Sequence, residues 1–294
     1  MRSTALTLAA AAALSLACLS GCSGSTPSGS GSPAPNTPAL SVTDRPETES
    51  PAYQEAQRKK AEEAAAKKKA EEEAARKAKE QAEAEAKIDV SNLGDKNPAD
   101  EAGVRRALAG LDFTQDFQKD LVQGEKPSEF QKYIVLHDTE CIASPAAIYD
   151  MWNSDGNHIG AHFVIGTDGK VMQGIPLEKI CHHAGFGDTG HNKLYGTTDE
   201  SRDAKKGTQE IGSWAADYGM NSYSIGIEIV HQGQKKGYPK KQLQALDQVI
   251  AYIDAYFGTQ SKIIDHKAWR SGNSDTSKAF AKYLKSYQDH RSYK

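Results

Sequence analysis

Nearly continuous apolar runs mark the last part of the chain as its globular part. They cover 133–137, 224–231 and 263–264. Apolar runs of this length are typical of buried strands, and the run at 224–231 is expected to be central in a sheet. Mixed with helical segments, these runs predict one α/β domain over 128–294, built on a single sheet flanked by helices.

Two helices of this domain are indicated by spacing and by their end signals. Residues 239–257 repeat apolar side chains at helical spacing until Gly258, a residue type that commonly ends helices. The repeating positions are Leu243, Leu246, Val249, Ile250, Ile253 and Phe257. Ser144 and Pro145 suit the cap and first residue of a second helix that runs to about residue 153.

The remaining segments of the domain are shorter or more polar. Two strands at 161–166 and 170–174 flank Thr-Asp-Gly at 167–169, which predicts a hairpin. Residues 187–220 are long, polar and rich in glycine, which indicates a surface loop. A terminal helix is expected at 279–288.

The segments before the domain differ sharply in composition. Residues 22–51 are mostly Ser, Gly, Pro, Thr and Ala, which predicts a flexible, disordered tether. Residues 52–88 are Ala, Glu, Lys, Arg and Gln without a Leu, Ile or Val seam, which predicts a long solvated helix. A spacer is the simpler role for it, and a weak partner helix is the alternative. Residues 89–127, with a short helix near 99–108, are either a linker or an accessory segment of the domain.

The first 21 residues have the pattern of an export signal. Arg2 precedes an apolar run rich in Ala and Leu, and the run closes with Leu-Ser-Gly-Cys at 19–22. That ending resembles a bacterial lipobox, which implies cleavage before Cys22 and lipidation of its thiol. An ordinary signal peptide and a short membrane anchor are the alternatives.

Charge and cysteine content bear on two further questions, whether the chain binds nucleic acid and whether it contains a disulfide. The net charge is −3, and no basic stripe with interleaved aromatic residues is present, so the sequence gives little support to nucleic-acid binding. If Cys18 leaves with the signal and Cys22 is acylated, Cys141 and Cys181 remain. An even pair in an exported chain suggests a disulfide, and two free buried thiols are the alternative.

Residues that could bind a metal ion or transfer a proton lie in or next to the three apolar runs. His137 ends the first run, and His266 ends the third, with Asp275 in the loop that follows. Two imidazoles and one carboxylate give Zn²⁺ three ligands and leave a fourth position for water, as in catalytic zinc sites. Glu228, within the second run, is a carboxylate that can take a proton from that water.

Five motifs, taken in order, resemble one enzyme family. They are Tyr133-Ile-Val-Leu-His137, the run from Gly160 through His162 to Lys170, His183-Ala-Gly185, Asn221 with Ser224-Ile-Gly-Ile-Glu228, and His266 to Asp275. This order is similar to that of the type-2 N-acetylmuramoyl-L-alanine amidases, which include bacteriophage T7 lysozyme and the peptidoglycan recognition proteins. The resemblance covers about residues 128 to 285 and implies a mixed central sheet.

The resemblance implies a zinc hydrolase that cuts the amide between N-acetylmuramic acid and the L-alanine of the stem peptide. It implies His137, His266 and Asp275 as ligands and Glu228 as the general base. A non-catalytic peptidoglycan-binding lipoprotein is the alternative. Together with the lipobox, the resemblance implies a monomeric, exported protein that is lipid-anchored to the cell or outer membrane and acts on peptidoglycan or muropeptides.

Residues around the metal are also implied by the resemblance. His183 is expected to contact the substrate or transition state, His162 to lie near the pocket as a substrate, second-shell or core residue, and Asn221 to bind substrate. Many family members have a Lys two residues before the last ligand, where this chain has Asn273. Asn273 or Arg270 is therefore expected to stabilise the oxyanion.

Overall fold

A computed structural model of the chain describes residues 50–185, 187–188, 191–197, 219–232 and 237–275. The predicted export signal, Cys22, nearly all of the tether, most of the loop at 187–220 and the terminal helix lie outside the described residues. The chain divides into two units, Met1–Glu62 and Glu63–Lys294. Among the described helices, none has the length and apolar character needed to cross a membrane.

The first helix, α1, spans Pro51–Ala86 and agrees with the predicted solvated helix. None of its 36 residues is buried, and its side chains pair four residues apart, as in Lys59 with Glu55 and Lys77 with Glu73. Such pairs lie on the same face of successive turns, and alanine and straight-chain residues favour the helix intrinsically. The helix therefore forms without an apolar face.

The segment 89–127 is part of the second unit rather than a free linker. Its helix α2 (Glu101–Leu108) is capped by Asp100, whose carboxylate accepts a 2.8 Å hydrogen bond from the Gly103 amide. Strand β1 (Phe113–Gln115) adds to the main sheet, and β2 (Gly124–Glu125) pairs with a strand further along the chain. Buried side chains of the segment include Val90, Leu93, Val104, Leu108 and Leu121.

Within the described ranges, the main sheet has six strands, and their directions are mixed. Its further strands are β3 (Tyr133–Asp138), β4 (Phe163–Ile165), β5 (Val171–Gln173), β7 (Ser224–Ile229) and β8 (Lys262–Asp265). Their order is β1-β5-β4-β7-β3-β8, with only β4 and β5 antiparallel. The two-residue strand β6 (Lys179–Ile180) pairs with β2. The predicted mixed sheet and the central place of the 224–231 run are confirmed.

Helices lie against this sheet as the apolar spacing predicts. The longest of them, α5 (Lys240–Phe257), buries Leu246, Val249, Ile250 and Ile253 in a core shared with the strands. Burial of each such side chain contributes about 1.5–3 kcal/mol. Gly258 ends α5 in the left-handed region at φ 68°, which glycine adopts without strain.

Three shorter helices complete the described part. They are α3 (Pro145–Ser154), α4 (His191–Leu194) and α6 (His266–Trp269). The Ser144 hydroxyl caps α3 by accepting a hydrogen bond from the Ala147 amide, as the Ser-Pro signal predicts. Helix α6 starts directly after β8, so its first residue stands at the end of a sheet strand.

The expected disulfide between Cys141 and Cys181 is not formed. Both residues are free thiols, although they belong to the same hydrophobic cluster. The buried Cys181 instead lies with its Sγ 3.3 Å from Nδ1 of His162. The imidazole gives this buried thiol a hydrogen-bond partner inside the core. The structure therefore agrees with the alternative that the sequence left open, two free thiols.

Candidate active site

Three neighbouring parallel strands, β7, β3 and β8, end at the site. In their register, His137 of β3 stands beside Glu228 of β7. On the other side, Leu136 pairs with Asp265 of β8, so His266 follows one position later. The carboxyl ends of parallel strands meet at one edge of a sheet, which is where open α/β folds place their sites. The topology thus brings together residues that are far apart in sequence.

His137, His266 and Asp275 form a compact group, here called the ligand cluster. One ligand atom from each lies within 4.8 Å of the others. The Asp275 Oδ2 atom is 2.8 Å from Nδ1 of His137 and 2.6 Å from Nδ1 of His266. The loop that carries Asp275 is tied to β3, because the Asp138 amide donates to the Asp275 carbonyl. The three predicted ligands are therefore assembled at one point.

The chemistry of these atoms fits a bound metal ion. The Nε2 atom of His266 is 3.2 Å from the Ala184 carbonyl oxygen, which accepts only, so this nitrogen carries the hydrogen. In a neutral ring, Nδ1 then presents a lone pair toward the Asp275 carboxylate. Lone pairs held this close repel one another unless a cation lies among them. Two imidazole nitrogens and a carboxylate oxygen are also a ligand set of catalytic metal sites.

Protonation in this cluster favours metal binding as well. Burial, assisted by the nearby His266, lowers the pKa of His137. Burial acts to raise the pKa of Asp275, but hydrogen bonds and positive charge from the His137 and His266 rings, in their protonated form, outweigh it and hold that pKa well below its ordinary value. When the rings are neutral, a bound cation would supply the positive charge instead. Neutral imidazole and ionised carboxylate are the forms that bind metal.

Glu228 lies beside the ligand cluster without belonging to it. Its Oε2 atom is inaccessible to solvent and has no hydrogen-bond partner among the described residues. Burial raises its pKa well above the ordinary value, and the carboxylates of Asp275, Asp138 and Glu140 add to the increase. A carboxyl group with this environment is a strong base once it is ionised, which suits proton transfer.

The turn at 183–185 is held by one side-chain atom. The Asn221 Oδ1 atom accepts hydrogen bonds from the amides of His183, Ala184 and Gly185, at 3.0, 2.8 and 3.2 Å. Asn221 is 1% exposed, so its amide oxygen is committed to the backbone. The structure thus shows a positioning role for Asn221, which also lines the cavity described below, and the substrate contact expected from the sequence stays a prediction.

His183 lies flat over β7, where Gly226 leaves room for its ring. A Cβ atom at position 226 would come within 2.5 Å of the His183 ring. Its two nitrogens contact the His137 Nε2 atom and the Ser224 Oγ atom, each at 3.1 Å. The contacts that the structure shows for His183 are with the protein, and the predicted contact with the substrate or transition state stays a prediction. Ser224 stands in the sequence only as the first residue of a strand motif, although it alternates with Gly226 and Glu228 on one face of that strand.

Of the alternatives that the sequence left open for His162, the structure shows a core histidine rather than a substrate contact. It is fully buried, and its Nε2 atom is 3.0 Å from the Lys179 carbonyl oxygen. Its Nδ1 atom accepts a hydrogen bond from the Gly226 amide and also faces the Cys181 thiol. Burial and the nearby Lys126 lower its pKa well below the ordinary value. One ring nitrogen thus binds β7 and the other binds β6 to the segment that carries His162.

A cavity of about 310 Å³ opens over the ligand cluster. Besides the cluster, its lining includes Glu228, Asn221, His183 and Arg270. Asn273 is not among the lining residues, and its Nδ2 group is inaccessible and has no partner among the described residues. Of the two predicted oxyanion donors, Arg270 is the one that lies at the cavity.

A comparison with family models identifies the family of this chain. The sequence profile of the N-acetylmuramoyl-L-alanine amidases matches residues 126–278. Among solved structures, the chain is similar to the amidase LysC of Clostridium intestinale URNW at 17% identity and a TM-score of 0.41, covering 60% of this chain and 97% of that one. A bumblebee PGRP-SA structure also has a TM-score of 0.41, with 16% identity and coverage of 60% and 94%.

A third similar structure is a selenomethionine derivative of AmpD, at 16% identity and a TM-score of 0.41, with coverage of 61% and 94%. A comparison with curated protein sequences gives no match. The profile match spans more than half of the 294 residues and includes all three members of the ligand cluster. The chain therefore belongs to the N-acetylmuramoyl-L-alanine amidase family of type 2.

Proposed function

We propose that the chain is a zinc-dependent hydrolase that cleaves the amide between N-acetylmuramic acid and the L-alanine of the stem peptide. One observation carries the proposal: two imidazole Nδ1 atoms and a carboxylate oxygen converge at an open cavity, beside a glutamate whose Oε2 atom has no hydrogen-bond partner among the described residues. Family membership supports peptidoglycan as the substrate. The ligand cluster would hold the zinc ion.

Bound zinc supplies a Lewis acid that polarises the amide carbonyl and makes water a stronger acid. Glu228 accepts a proton from the attacking water while the water oxygen bonds to the lactyl carbonyl carbon. It then donates that proton to the alanine nitrogen as the carbon–nitrogen bond breaks, so atoms and charge balance. Arg270, which lines the cavity, offers positive charge toward the carbonyl oxygen in place of the usual Lys.

We also propose that the protein is exported and anchored through a lipidated Cys22, next to its substrate. The lipobox-like ending at 19–22 and the family's substrate support this location. Labelling cells with an alkyne fatty acid tests it: the wild-type chain should take up the label and Cys22→Ala should not. Equal labelling of both chains would rule out an anchor at this cysteine.

The function is tested with the full chain, loaded with zinc or treated with a chelator, on purified peptidoglycan. Mass spectrometry should detect stem peptides with new free L-alanine amino groups only in the zinc-loaded sample. Glu228→Gln keeps the size of the side chain and removes the base, and it should slow release by about 10²–10⁴-fold. The matched control is Glu129→Gln, which should leave the rate unchanged. Glu129 is exposed and lies before the start of β3, at the end of the strand away from the ligand cluster.

The alternative function is peptidoglycan binding without hydrolysis. Asn273, which stands where many relatives have Lys, is the feature that favours it. Tight binding of the zinc-loaded wild-type chain to peptidoglycan with no release of stem peptides would overturn the proposed hydrolase. It would place the protein with the non-catalytic binders instead.

A further inference from the structure

A continuous line of hydrogen-bonding groups leads from a backbone carbonyl to the ligand cluster. The Ser224 hydroxyl donates to the Met220 carbonyl oxygen at 2.7 Å. Its oxygen is 3.1 Å from Nε2 of His183, and Nδ1 of His183 is 3.1 Å from Nε2 of His137. These four groups are called the relay below.

The direction of every hydrogen bond in the relay follows from its first member. A carbonyl oxygen only accepts, so the single hydroxyl hydrogen of Ser224 points toward Met220. The Ser224 oxygen must then accept from His183, whose Nε2 carries the hydrogen. In the neutral ring of His183, Nδ1 is left as an acceptor, and it takes the hydrogen on Nε2 of His137. The Nδ1 atom of His137 is thereby left with a lone pair, on the side that faces Asp275.

Packing holds the ring of His183 in this position. It is 8% exposed and lies on Gly226, where a side chain would collide with it. Its backbone amide is fixed by Asn221 at 3.0 Å. Since both ring nitrogens are committed to protein atoms, neither is available to donate to a substrate.

We propose that Ser224 and His183 are positioning residues, which hold His137 in the tautomer that presents Nδ1 to the metal. This inference rests on the metal site of the proposed function. It differs from the sequence-based expectation that His183 contacts the substrate. His266 reaches the same tautomer by a different route, through the Ala184 carbonyl oxygen, so the two imidazole ligands are oriented by separate partners.

Ser224→Ala tests the relay in the full chain. It removes the acceptor of His183 and should weaken zinc binding about 10–100-fold in competition with a chromophoric chelator. Nitrogen chemical shifts of the histidine rings in the metal-free chain give a second measurement. In wild type, His137 should carry its hydrogen on Nε2, and in Ser224→Ala this preference should be lost or reduced.

Ser222→Ala is the matched control. Ser222 is a fully buried serine two residues away, and its hydroxyl has no hydrogen-bond partner among the described residues. It should change neither zinc affinity nor the tautomer. A thermal melt of each metal-free variant separates loss of folding from loss of the relay.

Unchanged zinc affinity and an unchanged His137 tautomer in Ser224→Ala would overturn the relay, as would an equal loss of affinity in Ser222→Ala. The tautomer measurement needs neither metal nor substrate. A wild-type chain with the Nε2–H tautomer and tight zinc binding that released no stem peptides would therefore overturn the hydrolase and leave the relay intact.

Discussion

At the residue scale, the same side chain serves different purposes at positions close together in space. His137 belongs to the ligand cluster, His183 links it to Ser224, and His162 fastens β7 to its neighbours. All three rings are buried, and burial lowers each pKa because the charged form loses its hydration. The folded state therefore favours neutral histidine throughout this region.

This preference makes the stability of the metal-free chain depend on pH. The pKa of His162 is lower in the folded state than in the unfolded chain, so its contribution is fully present above about pH 6.5 and is lost as pH falls below that value. His162→Gln should reduce the slope of the free energy of unfolding against pH by about 1.4 kcal/mol per pH unit in that window. Denaturant unfolding between pH 7.5 and 5.0, with a chelator present, measures the slopes. Parallel lines for wild type and variant would contradict the prediction.

The sequence predicts that His137, His266, Asp275 and Glu228 lie together, which the structure bears out, but it does not predict the side chains around them. His137, His266 and Asp275 stand in recognisable motifs, and Glu228 interrupts an apolar strand. Ser224 is an ordinary strand residue in the sequence, and its role depends on a ring contributed from 41 positions away. Hydrogen-bond partners of this kind are set by tertiary packing, for which a single sequence carries no local signal.

At the element scale, strand β7 contributes three residues that arrange the site. Its alternate residues Ser224, Gly226 and Glu228 lie on one face, because side chains along a strand point in opposite directions in turn. They respectively fix the His183 ring, leave space for it, and carry the proposed base. A larger side chain at position 226 would therefore displace the His183 ring, which contacts His137 of the ligand cluster.

Gly226→Ala should displace the ring of His183. The added Cβ would lie 2.5 Å from Cγ and 2.7 Å from Nδ1 of that ring, which is closer than packed atoms allow. Overpacking of this kind typically costs about 1–3 kcal/mol, and we expect a lower melting temperature together with weaker zinc binding. Gly237→Ala is the control, because a Cβ at position 237 would meet no atom within 4 Å. A variant at 226 with wild-type zinc affinity would show that the close packing is not needed.

The longer helices and strands were easier to predict from the sequence than the shortest strands. The helix at 240–257 and the strands at 133–138 and 224–229 agree with their apolar patterns. The strands β1, β2 and β6 were not predicted, because two or three residues are too few to show a periodicity. Their pairing depends on distant partners rather than on their own sequences. The equally short β4 and β5 were predicted because they flank a recognisable turn.

At the scale of the whole molecule, the folded unit begins well before the segment that the family profile matches. The profile starts at residue 126, whereas side chains from Val90 onward are buried in the same core as the sheet. Glu178, also buried, accepts hydrogen bonds from the amides of Asp95 and Lys96. The preceding segment is thus fastened by both apolar and polar contacts.

A chain that begins at residue 88 should fold, and one that begins at residue 126 should not fold stably. The shorter chain loses at least four buried apolar side chains, Val90, Leu93, Val104 and Leu121, each worth about 1.5–3 kcal/mol. That sum is comparable to the whole stability of a typical domain, about 5–15 kcal/mol. Circular dichroism melts of the two purified chains compare them. Equal melting temperatures would show that the segment packs on the domain without supporting it.

The three hydrogen bonds to the Asn221 side chain also bear on how such a protein changes over generations. The turn that Asn221 holds contributes the ring beside His137 and the carbonyl oxygen beside His266. One substitution at this position would disturb both imidazoles together, although neither ligand had itself been altered. In a hydrolase of the proposed kind, such a substitution would weaken metal binding and catalysis together in a single mutational step. An ancestral hydrolase has in Asn221 a short route to a descendant that only binds.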